Sequence, residues 1–217
     1  MPKTITVKGV GKVSASPDSV VLSMTLESRN MNYEKAMNKA AESIDQLNTA
    51  LEIVGFEKKA VKTTGFNVRA DYEYRQNKSG KSERVFTGYV VYHNLKVEFD
   101  LDSRRLAEAL SAVGNCIAHP QLSVAFTVKD TTAINEEMLR SATNNAKNKA
   151  EILCSASGQE LGELLSIDYS WGEMRVFSDT RYELADDCLA APTGPCIDIE
   201  PDDIDISDTV TFVWEIK

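Results

Sequence analysis

Residues Asp130 to Trp171 hold a long helical pattern, a glycine stop and an alternating strand, and no other stretch constrains the fold as much. Asp130 suits a helix N-cap, because its carboxylate can accept a hydrogen bond from a free amide of the first turn. Beyond it Ile134, Met138, Leu139, Ala142, Ala146, Ala150 and Leu153 recur every three or four residues, and Gly158 supplies a left-handed stop. Ala142, Ala146 and Ala150 form a stripe of small side chains one turn apart, which lets this helix lie close against a sheet. Leu165, Ile167, Tyr169 and Trp171 then alternate with Ser166, Asp168 and Ser170, the period of a half-buried strand. That strand is expected to pack on the helix before it.

The rest of the chain alternates between the same two periods. Ile5 and Val7 oppose Thr4, Thr6 and Lys8, and Gly9 and Gly11 predict a bulge or turn in this first strand. They lack the GxGxxG spacing of a phosphate loop. After Pro17-Asp18, the alternation of Val20, Leu22, Met24 and Leu26 predicts a second strand pairing antiparallel with the first. Asn32 caps a helix with Tyr33, Met37, Ala40, Ile44, Leu47, Leu51 and Val54 as its apolar stripe and Gly55 as its end. Phe66, Val68, Ala70, Tyr72 and Tyr74 share one parity of a strand whose polar hairpin loop centres on Lys78-Ser79-Gly80-Lys81. Tyr89, Val91, His93, Leu95, Val97 and Phe99 carry the returning strand. Asp102 caps the next helix, with Leu101 placed to staple onto Leu106, with Leu110 and Val113 on its buried side and Gly114 as its end. Leu122, Val124, Phe126 and Val128 form a fifth strand, and Ile204, Ile206, Val210, Phe212, Trp214 and Ile216 form the last. The reading is α+β: a mixed sheet with a βαββαβ, ferredoxin-like unit, extended by an N-terminal strand, a third long helix and two C-terminal strands. Right-handed crossovers put all three helices on one side of that sheet.

The run from Ala142 to Ile167, with Ala146-Lys147, Lys149-Ala150-Glu151, Leu153, Gly158, Leu161-Gly162 and Leu164-Leu165-Ser166-Ile167, resembles the C-terminal half of the SIMPL-domain family. That family takes its name from a eukaryotic protein associated with a pelle-like kinase. Ile5-Thr6-Val7-Lys8-Gly9-Val10-Gly11-Lys12-Val13 leading to Pro17-Asp18, and the closing Thr209-Val210-Thr211-Phe212, match it in order, so the resemblance covers nearly the whole chain as a single domain, residues 1–217. It implies no reaction. It does imply self-association, since some bacterial members form ring-like oligomers, and a link to envelope or oxidative stress. No motif here encodes the kinase association.

Charge is unevenly placed. Net charge is -9, yet nine acidic residues and no Lys or Arg lie between Glu183 and Asp208, so the remainder is neutral. There is no basic footprint for nucleic acid, and no apolar run long enough for membrane insertion. The opening Met-Pro-Lys-Thr-Ile-Thr goes straight into a strand, which predicts a cytoplasmic protein. The alternative is periplasmic or exported, as for many members of the family, with a leader removed. Glu173 to Pro201 follows neither period, and an irregular acidic insertion is expected at about residues 173–203.

Chemistry-bearing residues are few. Cys116, Cys154, Cys188 and Cys196 show no CxxC spacing, and the histidines lie apart from them, so no metal or other cofactor is expected. Cys154 reads as a buried small residue. Cys188 and Cys196 are free thiols in a reducing compartment, or close a short loop in an oxidising one. His93 sits on the apolar parity of its strand and reads as a hydrogen-bonded core histidine, while His119, before Pro120, reads as solvated. No nucleophile signature such as GxSxG occurs, and Asp198 to Asp205 lack the glycine and glutamate of an EF-hand. The sequence therefore favours a non-enzymatic, self-associating interaction protein, a homo-oligomer through its sheet edges, with an unidentified protein partner also open. Tyr169, Trp171, Phe177 and Tyr182 would lie near the contact, or their segment would fold back over its own sheet. The alternative is a small-ligand binder or enzyme with a pocket beside His93.

Overall fold

A computed structural model describes residues 3–76, 82–170, 176–184 and 199–217. Over these described residues it is α+β, with three α-helices and two antiparallel sheets. Contacts divide the chain into two compact units, Met1–Asp18 with Thr127–Asp179 and Pro201–Lys217, and Ser19–Phe126 with Thr180–Glu200.

The first unit holds β1 (Thr4–Ala15), α3 (Thr131–Ala156), β6 (Leu161–Asp168) and β8 (Ile204–Ile216), with a three-stranded sheet ordered β1-β8-β6. Asp130 caps α3 as expected, its carboxylate accepting from the Thr132 amide, and Gly158 follows at φ +70. Ile134, Met138, Ala142, Ala146, Ala150 and Cys154 are its buried stripe, whereas Leu153 is exposed. Gly9 and Gly11 do not break β1, which runs through them. They lie under the helix instead: a Cβ added at Gly9 would stand 2.0 Å from the Ala142 carbonyl oxygen, and one at Gly11 would stand 2.2 Å from that of Met138. Glycine on the strand and alanine on the helix let the two backbones approach. Val7, Val210, Phe212 and Trp214 complete this core, with Phe212 and Trp214 stacked at 5.3 Å.

The second unit holds β2 (Ser19–Asn30), α1 (Tyr33–Ile53), a short 3-10 turn at Lys58–Ala60, β3 (Lys62–Gln76), β4 (Ser82–Asp100), α2 (Ser103–Gly114) and β5 (Gln121–Thr127). Its strands stand in the order β3-β4-β2-β5, and β7 (Phe177–Leu184) completes a five-stranded sheet. Asn32 accepts from the Lys35 amide and Asp102 from that of Arg105, as their positions predict for the caps of α1 and α2. Val20, Leu22, Met24 and Leu26 pair with Phe99, Val97, Leu95 and His93 on the face that α1 and α2 cover. Leu101 and Leu106 join that core, and Gly55 ends α1 at φ +85.

Three expectations are corrected. The second strand does not pair with the first: β1 pairs with β8 and β2 with β4. The Ser16-Pro17-Asp18 link is no hairpin, since Asp18 bonds instead to the Thr127 carbonyl and the Lys129 amide. The single mixed sheet is two sheets, with α1 and α2 on one and α3 on the other. The stretch expected to be irregular contains β7, a third C-terminal strand. Its buried positions are Ser178, Thr180 and Tyr182, fully or in part, while Phe177 is exposed, so its apolar pattern is inverted. Ser178 is accommodated by donating its hydroxyl proton to the Asp202 carbonyl at 2.7 Å.

Candidate interaction surface

Among the described residues, those singled out for chemistry form no cluster of metal-ligating groups. His93 is half-buried on β4, with Nε2 2.9 Å from the Thr63 hydroxyl and its ring edge-on to Phe66 at 5.2 Å. Burial holds its pKa below the ordinary imidazole value. This is the hydrogen-bonded histidine that its parity suggested. His119 is exposed in the turn after α2, at φ +46. Cys116 and Cys154 are both buried free thiols, while Cys188 and Cys196 fall outside the described residues. Among the described residues no three of His, Cys, Asp or Glu gather as a metal site. Of the acidic run, Asp203 accepts from the Ser16 hydroxyl at 2.7 Å and Asp208 from the Thr209 amide at 2.6 Å. The aromatic residues expected near a contact divide. Tyr182 packs against the five-stranded sheet's core and Tyr169 against the α3 core, Phe177 is exposed, and Trp171 lies outside the described residues.

What the structure does assemble is an aromatic edge that the reading of single strands had not singled out. β3 is an outermost strand of its sheet. Phe66, Tyr72 and Tyr74 on one parity are 50%, 39% and 75% exposed. Tyr72 meets Phe86 at 5.6 Å, Phe86 meets Tyr89 at 5.3 Å and Tyr89 meets Tyr33 at 5.5 Å, each edge-to-face. The Arg84 guanidinium stands 3.8 Å from the Tyr72 ring centroid, a cation–π contact that fixes the ring. Edge-to-face pairs of this kind contribute about 0.5 to 1.5 kcal/mol each beyond the area they bury, which favours this arrangement of the rings.

The other parity of β3 is charged and is held by its own sheet. Arg69 donates to the Tyr92 hydroxyl at 2.9 Å and lies over that ring. Arg29 bridges Glu27 and Asp71, the latter at 3.0 Å, and Glu27 bonded to it raises the guanidinium pKa further. Arg75 pairs with Glu73 at 3.0 Å. Exposed pairs of this kind contribute little to stability, but they orient the charges along the strand.

The edges of the three-stranded sheet differ from one another. On β1 the Val10 amide donates to Asn145 Oδ1 at 3.0 Å, the Lys12 amide to Ser141 Oγ at 3.3 Å, and Lys149 Nζ to the Lys8 carbonyl at 3.2 Å. Helix α3 thereby seals that edge. β6, at the opposite side, carries exposed Leu164, Leu165 and Ile167, and two register shifts in its pairing with β8 break its alternation. The half-buried apolar face expected of this strand is therefore exposed.

Comparison with known proteins yields no reaction either. The pattern of the SIMPL family, described as a protein of unknown function (DUF541), matches residues 5–214. The 26 kDa periplasmic immunogenic protein of Brucella melitensis is 25% identical over 219 residues, spanning 100% of this chain and 86% of the relative. Its namesake from Brucella abortus strain S19 gives the same 25% identity, with the same 100% and 86% coverage. With a family match over almost its full length, the chain belongs to the SIMPL family.

Proposed function

We propose that the protein is a non-enzymatic, self-associating assembly protein of the bacterial envelope. The observation that carries this reading is the contrast between strand edges. An outermost strand presents unpaired amides and carbonyls and invites pairing with another chain. The edge of β1 is sealed by α3 side chains, whereas β3 offers 15 residues with Phe66, Tyr72 and Tyr74 exposed. An extended partner that adds a strand gains main-chain hydrogen bonds from the edge and specificity from the side chains. A homo-oligomer is the occupant that needs no further component. An unidentified protein partner would use the same edge. The reading of His93 as a catalytic or ligand-binding group has less support, because the imidazole is engaged by Thr63 and Phe66.

The periplasm is the compartment this reading favours over the cytoplasm, supported by its similarity to the Brucella periplasmic immunogenic proteins. Osmotic-shock extraction of cells expressing the natural gene tests it: recovery in the shock fluid supports the periplasm, and retention with cytosolic markers contradicts it. For assembly, the solution mass by light scattering across a concentration and salt series is decisive. A multiple of 24.0 kDa is expected, and a monomer under every condition would refute self-association.

A further inference from the structure

The charge and aromatic pattern of β3 is self-complementary in one antiparallel register, and from it we infer that two copies pair β3 to β3 about a two-fold axis through Ala70. This rests on the self-association reading and names the surface and register that serve it. From Gly65 to Gln76 the strand has no inserted residue of its own: the extra residue at the irregularity beside Asp71 and Tyr72 is Thr87 on β4. A symmetric pair centred on Ala70 places Arg69 opposite Asp71 of the second copy, twice. On the other face Val68 stands opposite Tyr72 and Phe66 opposite Tyr74, again twice each. Opposite charges and aromatic pairs directly across an antiparallel ladder are the favourable cross-strand combinations, and like charges there are unfavourable.

Neighbouring registers fail on the same ground. An axis at Arg69 or Asp71 sets a charge against its own copy. An axis at Tyr72 sets Arg69 against Arg75 and Asp71 against Glu73. An axis at Val68 sets Arg69 against Asn67 and Asp71 against Gly65, which forms no ion pair, and its regular ladder stops at Gly65, beside the irregularity between Thr63 and Gly65. Centres nearer either end of Gly65–Gln76 shorten the paired segment further. Only even shifts keep the aromatic parity of both copies on one face, because side chains alternate along a strand. Arg69 and Asp71 are both held by their own sheet, through Tyr92 and Arg29, so their charges stand ready at the edge. The pairing is isologous and closed at this edge, which leaves any larger assembly to other surfaces.

Single-cysteine cross-linking in a chain carrying Cys188→Ser and Cys196→Ser tests the register, since the remaining Cys116 and Cys154 are buried. Opposed Cα atoms in an antiparallel pair lie about 4.5 to 5.5 Å apart, within reach of a disulfide. Under mild oxidation Ala70→Cys should form a covalent dimer in most of the protein. Val68→Cys and Tyr72→Cys should not do so singly, but should when mixed in equal amounts. Ala70 is exposed, so the substitution leaves the core untouched. As a second variant, Arg69→Glu turns two attractive pairs repulsive and should weaken dimerisation about tenfold. An oligomer by light scattering in which Ala70→Cys cross-links no better than Tyr72→Cys overturns the β3 register and leaves self-association standing. A monomeric mass overturns both.

Discussion

Gly9 and Gly11 show how a residue's role depends on what approaches it. Two glycines spaced on a strand suggest a bulge when read alone, yet here each removes a side chain that would strike a helix carbonyl. The alanine stripe that receives them was legible from its four-residue spacing, because helical period does not depend on the partner. The partner strand was not, since nothing local to Gly9 specifies which element lies above it. Gly9→Ala should therefore destabilise at the upper end of the roughly 1 to 3 kcal/mol typical of overpacking. Gly114→Ala, at the end of α2 with nothing within 4 Å, should be neutral or gain up to about 1 kcal/mol from helix propensity. Urea midpoints compare them, and equal effects would contradict the close approach of β1 and α3. By the same measurement Ala146→Leu should cost about 1 to 3 kcal/mol, because Ala146 is 0% exposed in the helix stripe. Lys147→Leu should cost little, since its ammonium makes only a surface pair with Glu151 at 4.0 Å.

Elements with strong amphipathic period were read correctly in type and near their ends, and the caps at Asn32, Asp102 and Asp130 all bond as their side chains require. β7 was missed because burial there falls on Ser178, Thr180 and Tyr182, and hydrogen bonds rather than apolar area accommodate it. β6 was recognised as a strand, but its bulges and outer position leave Leu164 and Ile167 in water. His93 makes an element-scale prediction on β4. Burial holds its folded pKa below the ordinary 6.5, so the unfolded chain binds the proton more readily. The stability this group contributes is full above that ordinary value and falls as pH drops from it through the lower folded value. Wild type should lose more stability across that window than His93→Gln, measured as the shift in urea midpoint. Identical shifts would mean that the imidazole is not desolvated.

For the whole molecule, the three helices and every strand but β7 were legible, but the division into two sheets was not. Both β1–β8 and β2–β4 are antiparallel pairs of alternating strands, and periodicity does not say which alternating strand finds which. The choice is made by shape: glycine and alanine match β1 to α3, while large aliphatics match β2 and β4 to α1 and α2. The candidate surface was illegible for the same reason. Phe66, Tyr72 and Tyr74 look like core residues on a strand until the sheet order makes β3 outermost. If assembly uses that edge, the amides facing away from β4 should be unprotected in the monomer and protected in the oligomer. Amide hydrogen exchange of β3, followed from dilute to concentrated protein, measures this directly. The account predicts exchange between Gly65 and Arg75 that slows as concentration rises, with the α3-sealed edge of β1 unchanged. Exchange in β3 that stays the same at every concentration would contradict it.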